Sequence, residues 1–210
     1  MPKFNKMLSN IARLYHQQRL RGAAIWLLLV AVAFSTPSYG QSLSVHEFKL
    51  ANGLKILVKE DHRSPVVVSQ VWYKVGSSYE YGGITGISHM LEHMMFKGTD
   101  KYAPGEFSRI IAENGGNENA FTNRDYTAYF QTLDKSRLAI SFEMEADRMR
   151  NLHLLDEELT KELQVVLEER RKRTEDNPQA KMYEYLMAMA YNNSPYKNPV
   201  IGWPADIENY

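Results

Sequence analysis

The chain has 210 residues, 44% of them hydrophobic, which is long enough for one domain with a sizeable core. Its 25 basic and 25 acidic residues cancel, so no general excess of positive charge points to nucleic acid as a partner. There is no cysteine, which excludes disulfides, thiolate metal ligands and a cysteine nucleophile. A metal here would be left with His and Asp/Glu side chains, a set more typical of catalytic than of structural zinc.

The charge is unevenly placed. Lys3, Lys6, Arg13, Arg19 and Arg21 precede residue 22, and no acidic residue comes before Glu47. An unbroken apolar run of twelve residues, Ala23 to Phe34, follows. That length suits the apolar region of a signal peptide and falls short of a membrane-spanning helix. Ser38 and Gly40 are small residues at −3 and −1 of a cut before Gln41. Residues 1–40 are therefore expected to be a signal peptide, with an uncleaved inner-membrane anchor as the alternative. The expected destination is a bacterial periplasm. What remains carries about −5, since five of the basic residues lie in the leader.

From Val45 to Leu50 apolar and polar residues alternate; Asn52-Gly53 is a turn signal and Leu54 to Val58 is apolar-rich, so this stretch reads as a β-hairpin. Pro65 opens a further strand, Val66 to Val75. Gly82, Gly83 and Gly86 precede a helix predicted from Thr85 to Lys97, with Gly98 at its C-terminal cap. A second helix is predicted over Gly105 to Glu113, ending at Gly115-Gly116. A long strand is predicted from Asn119 to Leu133. Asp134 is placed to cap a third helix with Leu138, Phe142, Ala146 and Met149 as its buried stripe, and Asp156 to cap a fourth running to about Arg173. A final helix spans about Gln179 to Ala190. Most methionines read as core filler. Strands first and covering helices after them predict an α+β two-layer fold with a mainly antiparallel sheet.

Within the first helix stands His89-Met90-Leu91-Glu92-His93. At i, i+3 and i+4 the two imidazoles and the carboxylate share one helix face. Two histidines one turn apart can grip one zinc ion, and the glutamate beside them can take a proton from an attacking water. The pattern suggests metal-assisted hydrolysis. A zinc ion needs a further protein ligand, and the fourth helix offers candidates. Leu159, Glu162, Val166 and Glu169 fall on one stripe, where two glutamates among apolar residues ask for a partner; the alternative is that Glu162 and Glu169 are surface residues beside Arg170 and Arg173. Glu168 lies about 100° further round the helix and is the weaker candidate. The run Arg170-Arg171-Lys172-Arg173 reads as favourable charge near a helix C-terminus plus solvation, not as a nucleic-acid site.

Longer motifs surround these residues. Gly83-Ile84-Thr85-Gly86-Ile87-Ser88 leads into His89; Asn119-Ala120-Phe121-Thr122 is followed by Asp125, Thr127 and Tyr129; Glu162 to Arg171 reads Glu-Leu-Gln-Val-Val-Leu-Glu-Glu-Arg-Arg; and Ser194-Pro195-Tyr196 precedes Ile201-Gly202. Together they resemble the pitrilysin or insulinase-type metallopeptidases, the inverzincins with the H-x-x-E-H signature. The resemblance covers nearly all of residues 44–210. It implies one zinc per chain on His89, His93 and Glu169, with Glu92 as general base and Glu162 as an auxiliary acidic residue. It also implies that Asn119, Ala120, Phe121 and Thr122 form an edge that pairs with an extended peptide substrate. The expected activity is that of a zinc endopeptidase, with residues 41–210 as its N-terminal catalytic domain. Family members of this type close two homologous halves like a clamshell, and Tyr210 falls before the first half would be complete. The alternative is therefore a non-catalytic or truncated subunit that needs a second family subunit or a C-terminal half. No nucleic acid is expected, and a membrane only if the leader stays uncleaved.

Overall fold

A computed structural model describes residues 44–210. The expected signal segment and its cut before Gln41 lie outside the described residues. The chain divides into two compact units, Met1–Asp61 and His62–Tyr210.

The described part of the first unit is the hairpin. Strand β1, Val45–Lys49, pairs antiparallel with β2, Lys55–Lys59, with Glu47 opposite Leu57. The turn follows from its residues: Gly53 takes φ 92°, and the Asn52 side chain accepts from the Leu54 N–H at 3.1 Å.

The second unit is built on a three-stranded antiparallel sheet in the order β3, β5, β4. Strand β3 is Val66–Tyr73, β4 is Asn117–Thr122 and β5 is Thr127–Asp134. The central strand β5 sets the faces. Thr127, Tyr129, Gln131 and Leu133 are buried under helices, and the residues opposite them, such as Ser69 and Val71, share that face. On the other face Val66, Val68, Trp72 and Phe121 remain exposed. This is the alternation expected of an antiparallel sheet covered on one side. The fold is α+β.

Where one strand was predicted from Asn119 to Leu133, the structure has two, β4 and β5. Asn123 to Tyr126 reverse the chain, closed by the Asn123 N–H donating to the Tyr126 carbonyl at 2.8 Å. β-formers on both sides conceal the Asn-Arg-Asp turn in the sequence.

Helix α1 is Ile87–Met94, shorter than the predicted Thr85 to Lys97. Gly86 stands at φ 92°, outside the helical region, and the exit tightens: Phe96 N–H donates to His93 and Lys97 N–H to Met94. Gly98 therefore follows these turns instead of capping the helix itself. Helix α2 is Glu106–Glu113. Helix α3, Leu138–Asn151, follows a 3-10 turn whose start is capped by Asp134, which accepts from the Ser136 N–H.

The buried face of α3 is not the predicted stripe. Ser141, Met144, Glu145 and Arg148 are buried, while Phe142, Ala146 and Met149 are exposed. The helix is turned by a charged pair that the core satisfies. Arg148 bonds Glu145 at 2.5 and 2.9 Å, and its guanidinium lies 4.4 Å from the ring centres of both Phe107 and Tyr129.

Helix α4 is Asp156–Arg170, with Asp156 in its first turn and Leu155, not Asp156, in the capping position. A π-helical turn, Arg171–Glu175, continues it. Helix α5, Pro178–Ala190, is capped by Asn177 and buries no residue fully; Met182 and Met189 are exposed, against the reading of the methionines as core. A short helix α6, Pro204–Ile207, ends the described chain. Among the described residues no helix is long and apolar enough to cross a membrane.

Two apolar clusters hold the unit together. One joins Phe107, Ile111, Leu133 and Met144 between α2, α3 and the sheet. The other joins Met90 and Met94 of α1 to Val166 of α4 and Ile207 of α6. The second cluster fixes α1 against α4.

The entrance to α1 is fixed by backbone as well. A Cβ on Gly86 would meet the Ile201 carbonyl oxygen at 2.4 Å, and one on Gly202 would meet that of Thr85 at 2.2 Å. Two glycines cross back to back. The buried Thr85 hydroxyl donates to Asp206 and accepts from the Trp203 N–H at 3.0 Å. Gly86→Ala is expected to cost about 2–4 kcal/mol, from the positive φ and the backbone clash together. Gly82→Ala, which faces open space, should leave stability nearly unchanged. Urea unfolding of the two variants checks this.

Candidate metal centre

Helix α1 starts under a carboxylate. Glu80, buried at 5% exposure, accepts from the Gly86 N–H at 2.6 Å and the Ser88 N–H at 2.8 Å. A negative group at a helix N-terminus is favourable. With its start held and Met90 and Met94 in the core, the helix turns His89, Glu92 and His93 towards α4 and β4.

The structure brings His89, His93 and Glu169 together, their nearest ligating atoms all within 4.8 Å of one another. Glu169 Oε2 lies 3.7 Å from His89 Nε2 and 3.3 Å from His93 Nε2. Ligand atoms on a tetrahedron with bonds of ~2.1 Å are about 3.4 Å apart, so the donor set fits one zinc ion. Glu168, the weaker candidate, is exposed and pairs with Arg171 at 2.8 Å.

The surrounding groups prepare both rings. His93 Nδ1–H donates to Glu162 Oε2 at 2.9 Å, which leaves Nε2 facing Glu169. Glu162 is buried on α4, as its stripe predicts, and also binds Lys97. Burial works to raise the Glu162 pKa, but Lys97 and His93 hold it below the ordinary carboxylate value. The hydrogen bond to Glu169 raises the pKa of His93 against its burial. Burial lowers His89 to about 4, the Glu169 charge opposing. His89 is thus neutral near pH 7, as a metal ligand must be. Its Nδ1 is buried with no hydrogen-bond partner.

Glu92 stands beside this cluster, and burial raises its pKa. Thr122 donates to Glu92 Oε2 at 2.5 Å. The carboxylate can only accept, so the Thr122 hydroxyl gives it its hydrogen, and Thr127 gives its own to the Val75 carbonyl at 3.0 Å. Thr122 ends β4, which is paired on one side by β5 and is the edge of its sheet. Asn119, Ala120, Phe121 and Thr122 line one cleft with His89, Glu92 and His93. Its other wall comes from α5 and residues 197–201.

Sequence reasoning missed several of these partners. Arg173, four residues after Glu169 and read in the alternative as its surface neighbour, binds its Oε1 at 2.5 Å while Glu169 also faces the two histidines. Arg170, read as solvated, is buried: it bonds Glu184 on α5 at 2.8 and 2.9 Å and the Gly202 carbonyl at 2.9 Å. Glu80 and Lys97 gave no periodic signal.

Residues 55–203 match the family described as Insulinase (Peptidase family M16). The chain belongs to this family. It is 38% identical over 196 residues to the zinc protease PqqE of Helicobacter pylori, an overlap of 92% of this chain and 44% of that protein. It is 32% identical over 160 residues to the mitochondrial-processing peptidase subunit beta of Bos taurus, across 76% of this chain and 32% of that one. A crystal structure of a protease from Helicobacter pylori superposes with a TM-score of 0.78 at 38% identity, covering 80% of this chain and 41% of that one. The chain thus spans less than half the length of these M16 relatives. As a member of a metallopeptidase family whose relatives are named zinc proteases, it is matched to zinc by family and by its donor set.

Glu162→Gln is expected to destabilise the metal-free chain by about 1 kcal/mol, with a definite pH dependence. The lowered Glu162 pKa makes its contribution present above the ordinary carboxylate value and lost as pH falls through the folded one. The raised His93 pKa makes the His93 share fully present below about 6.5 and lost as pH rises through its folded value. The difference from the parent should therefore peak between these limits and shrink on both sides, persisting in part above through the remaining ion pair with Lys97. Urea melts from pH 4 to 9 measure it.

Proposed function

We propose that the chain is the zinc-carrying part of an exported endopeptidase. The observation that carries this reading is the convergence of three ligating atoms beside a buried carboxylate, at the open edge of a sheet. His89, His93 and Glu169 would hold the zinc, which when bound polarises a peptide carbonyl and acidifies a water.

The other steps belong to the chain's own residues. An extended peptide pairs its backbone with the β4 edge at Asn119 to Thr122. Glu92 accepts the proton of the attacking water and later delivers it to the leaving amine. A carboxylate whose pKa is raised by burial is suited to both halves of that cycle. Thr122 holds the carboxylate in place, and Glu162 fixes the ring of His93, the supporting role that such partners play around metal ligands. The leader, residues 1–40, would take the protein to a bacterial periplasm.

A second reading is favoured by length. With 44% of one relative covered and a subunit of a processing peptidase among the others, catalysis would require a second family subunit or a C-terminal half.

The test uses the full 210-residue chain loaded with zinc and a mixture of fluorogenic peptides. The expected result is one zinc per chain and hydrolysis that a chelator abolishes. Glu92→Gln should keep the zinc and lose about 10²- to 10⁴-fold in kcat, while His89→Ala should lose the metal. Hydrolysis retained in Glu92→Gln would sink the mechanism. Zinc without hydrolysis in the parent would favour the partner-dependent reading. In an active preparation Thr122→Val should lower kcat about tenfold with little change in KM, and Thr122→Ser should restore it.

A further inference from the structure

The charges along the cleft are not balanced. Each carboxylate in its wall is engaged. Glu92 accepts from Thr122, Glu169 binds Arg173 and faces both histidines, and Glu184 takes two hydrogen bonds from Arg170. Three cations line the same cleft, Arg124, Arg173 and Lys197. Among the described residues only Arg173 of the three is in ion-pair contact with a carboxylate; Arg124 acts on Asp125 through charge alone, without a direct bond.

Arg124 and Lys197 sit together. The Arg124 guanidinium lies 5.8 Å from the centre of the Tyr196 ring, and its Nε donates to the Tyr196 carbonyl at 3.4 Å. Lys197 is the next residue along, and among the described residues its ammonium reaches the Asn192 carbonyl, at 3.5 Å. The nearest acidic residue in sequence, Asp125, accepts instead from Ser78 at 2.9 Å and from the Tyr196 hydroxyl at 2.5 Å. That clasp ties the β4–β5 turn to Tyr196 and so keeps the two cations at one end of the cleft. This end is next to the chemistry. Arg124 follows Thr122 by two residues, at most about 7 Å of backbone, and Thr122 touches Glu92.

We propose that this end of the cleft selects peptides with an acidic side chain two or three residues from the bond to be cut. The occupant is called a substrate on the strength of the peptidase reading above; the charge preference is a matter of binding. Exposed cations add modestly to affinity, are screened by salt, and sort partners by charge.

The experiment measures binding without turnover. The full chain, kept metal-free by a chelator, is titrated into fluorescein-labelled nonapeptides with a common Ala/Leu centre. Glu, Gln or Lys occupies the two positions flanking that centre, on the N-terminal or the C-terminal side. Glu peptides of one side should bind about three- to tenfold tighter than Gln peptides, with Lys peptides weakest, and the differences should collapse in ~0.5 M salt. Arg124→Gln with Lys197→Gln should erase the preference, while Arg150→Gln, on the exposed end of α3, should leave it. Equal binding of all three peptides, no measurable binding of any, or a preference that survives the double substitution would overturn the proposal. Hydrolysis by the zinc-loaded chain is scored separately. Acid-selective binding without hydrolysis keeps the cationic end and favours the partner-dependent reading; hydrolysis without acid selectivity keeps the self-sufficient peptidase and removes the cationic end.

Discussion

The second unit depends on one crossing of backbone on backbone. Thr85-Gly86 and Ile201-Gly202 lie so close that neither glycine has room for a Cβ. Everything that positions the metal helix radiates from it. Glu80 takes the first N–H groups of α1, the Thr85 hydroxyl joins Asp206 and Trp203, and Arg170 reaches the Gly202 carbonyl from α4. Residues more than a hundred positions apart in the chain are thereby held at backbone precision. The apolar cluster of Met90, Met94, Val166 and Ile207 fills the space beneath. Cluster and crossing together set the separation of α1 and α4, and that separation decides whether Glu169 can meet two imidazoles.

Buried charge is handled in two opposite ways. Under the sheet, Arg148 and Glu145 neutralise each other between aromatic rings, and Gln131 and Ser141 extend the bonding. That network leaves one guanidinium nitrogen, Arg148 Nη1, without a hydrogen bond, its charge facing aromatic rings instead, and it specifies how α3 lies on the sheet. At the cleft the bonding is deliberately one-sided. Glu162 occupies one nitrogen of His93 and leaves the other facing Glu169. His89 has one ring nitrogen towards Glu169 and the other without a partner. Without an ion the His93 side of this cluster is held by its bond to Glu169, while the unpartnered Nδ1 of His89 carries a burial cost.

Much of this was legible in the sequence, for reasons that can be stated residue by residue. Helical spacing alone puts His89, Glu92 and His93 on one face, and the structure has them so. Two glutamates on an apolar stripe flagged Glu162 and Glu169, and both face α1. What escaped was whatever depends on non-local contact. Glu80 is one acidic residue in a loop until the chain returns to place a helix start beneath it. The glycines of the crossing look like ordinary loop punctuation. The β4–β5 turn is short and flanked by strand formers. The stripe on α3 failed because periodicity weighs Phe142 above Arg148, whereas an arginine paired with Glu145 and stacked on Phe107 and Tyr129 is the better core residue there.

The π-helical turn at Arg171–Glu175 has a consequence for how the cleft could change. Its bond from the Asp176 N–H to the Arg171 carbonyl, 2.8 Å long, spans five residues instead of four. The turn thus holds one residue more than a regular helix would need. It brings the chain round to Asn177, which caps α5, and from there Glu184 meets Arg170 while Tyr183 and Met187 line the cleft. Losing one residue there would change the direction in which the chain enters Asn177, where α5 starts afresh behind its own cap, and so move that wall of the cleft while His89 and His93 on α1 stay where they are. The two sides of the cleft meet at this turn, since Arg173 within it also holds Glu169, and a single insertion or deletion there would move one wall and reach the candidate ligands through that one ion pair.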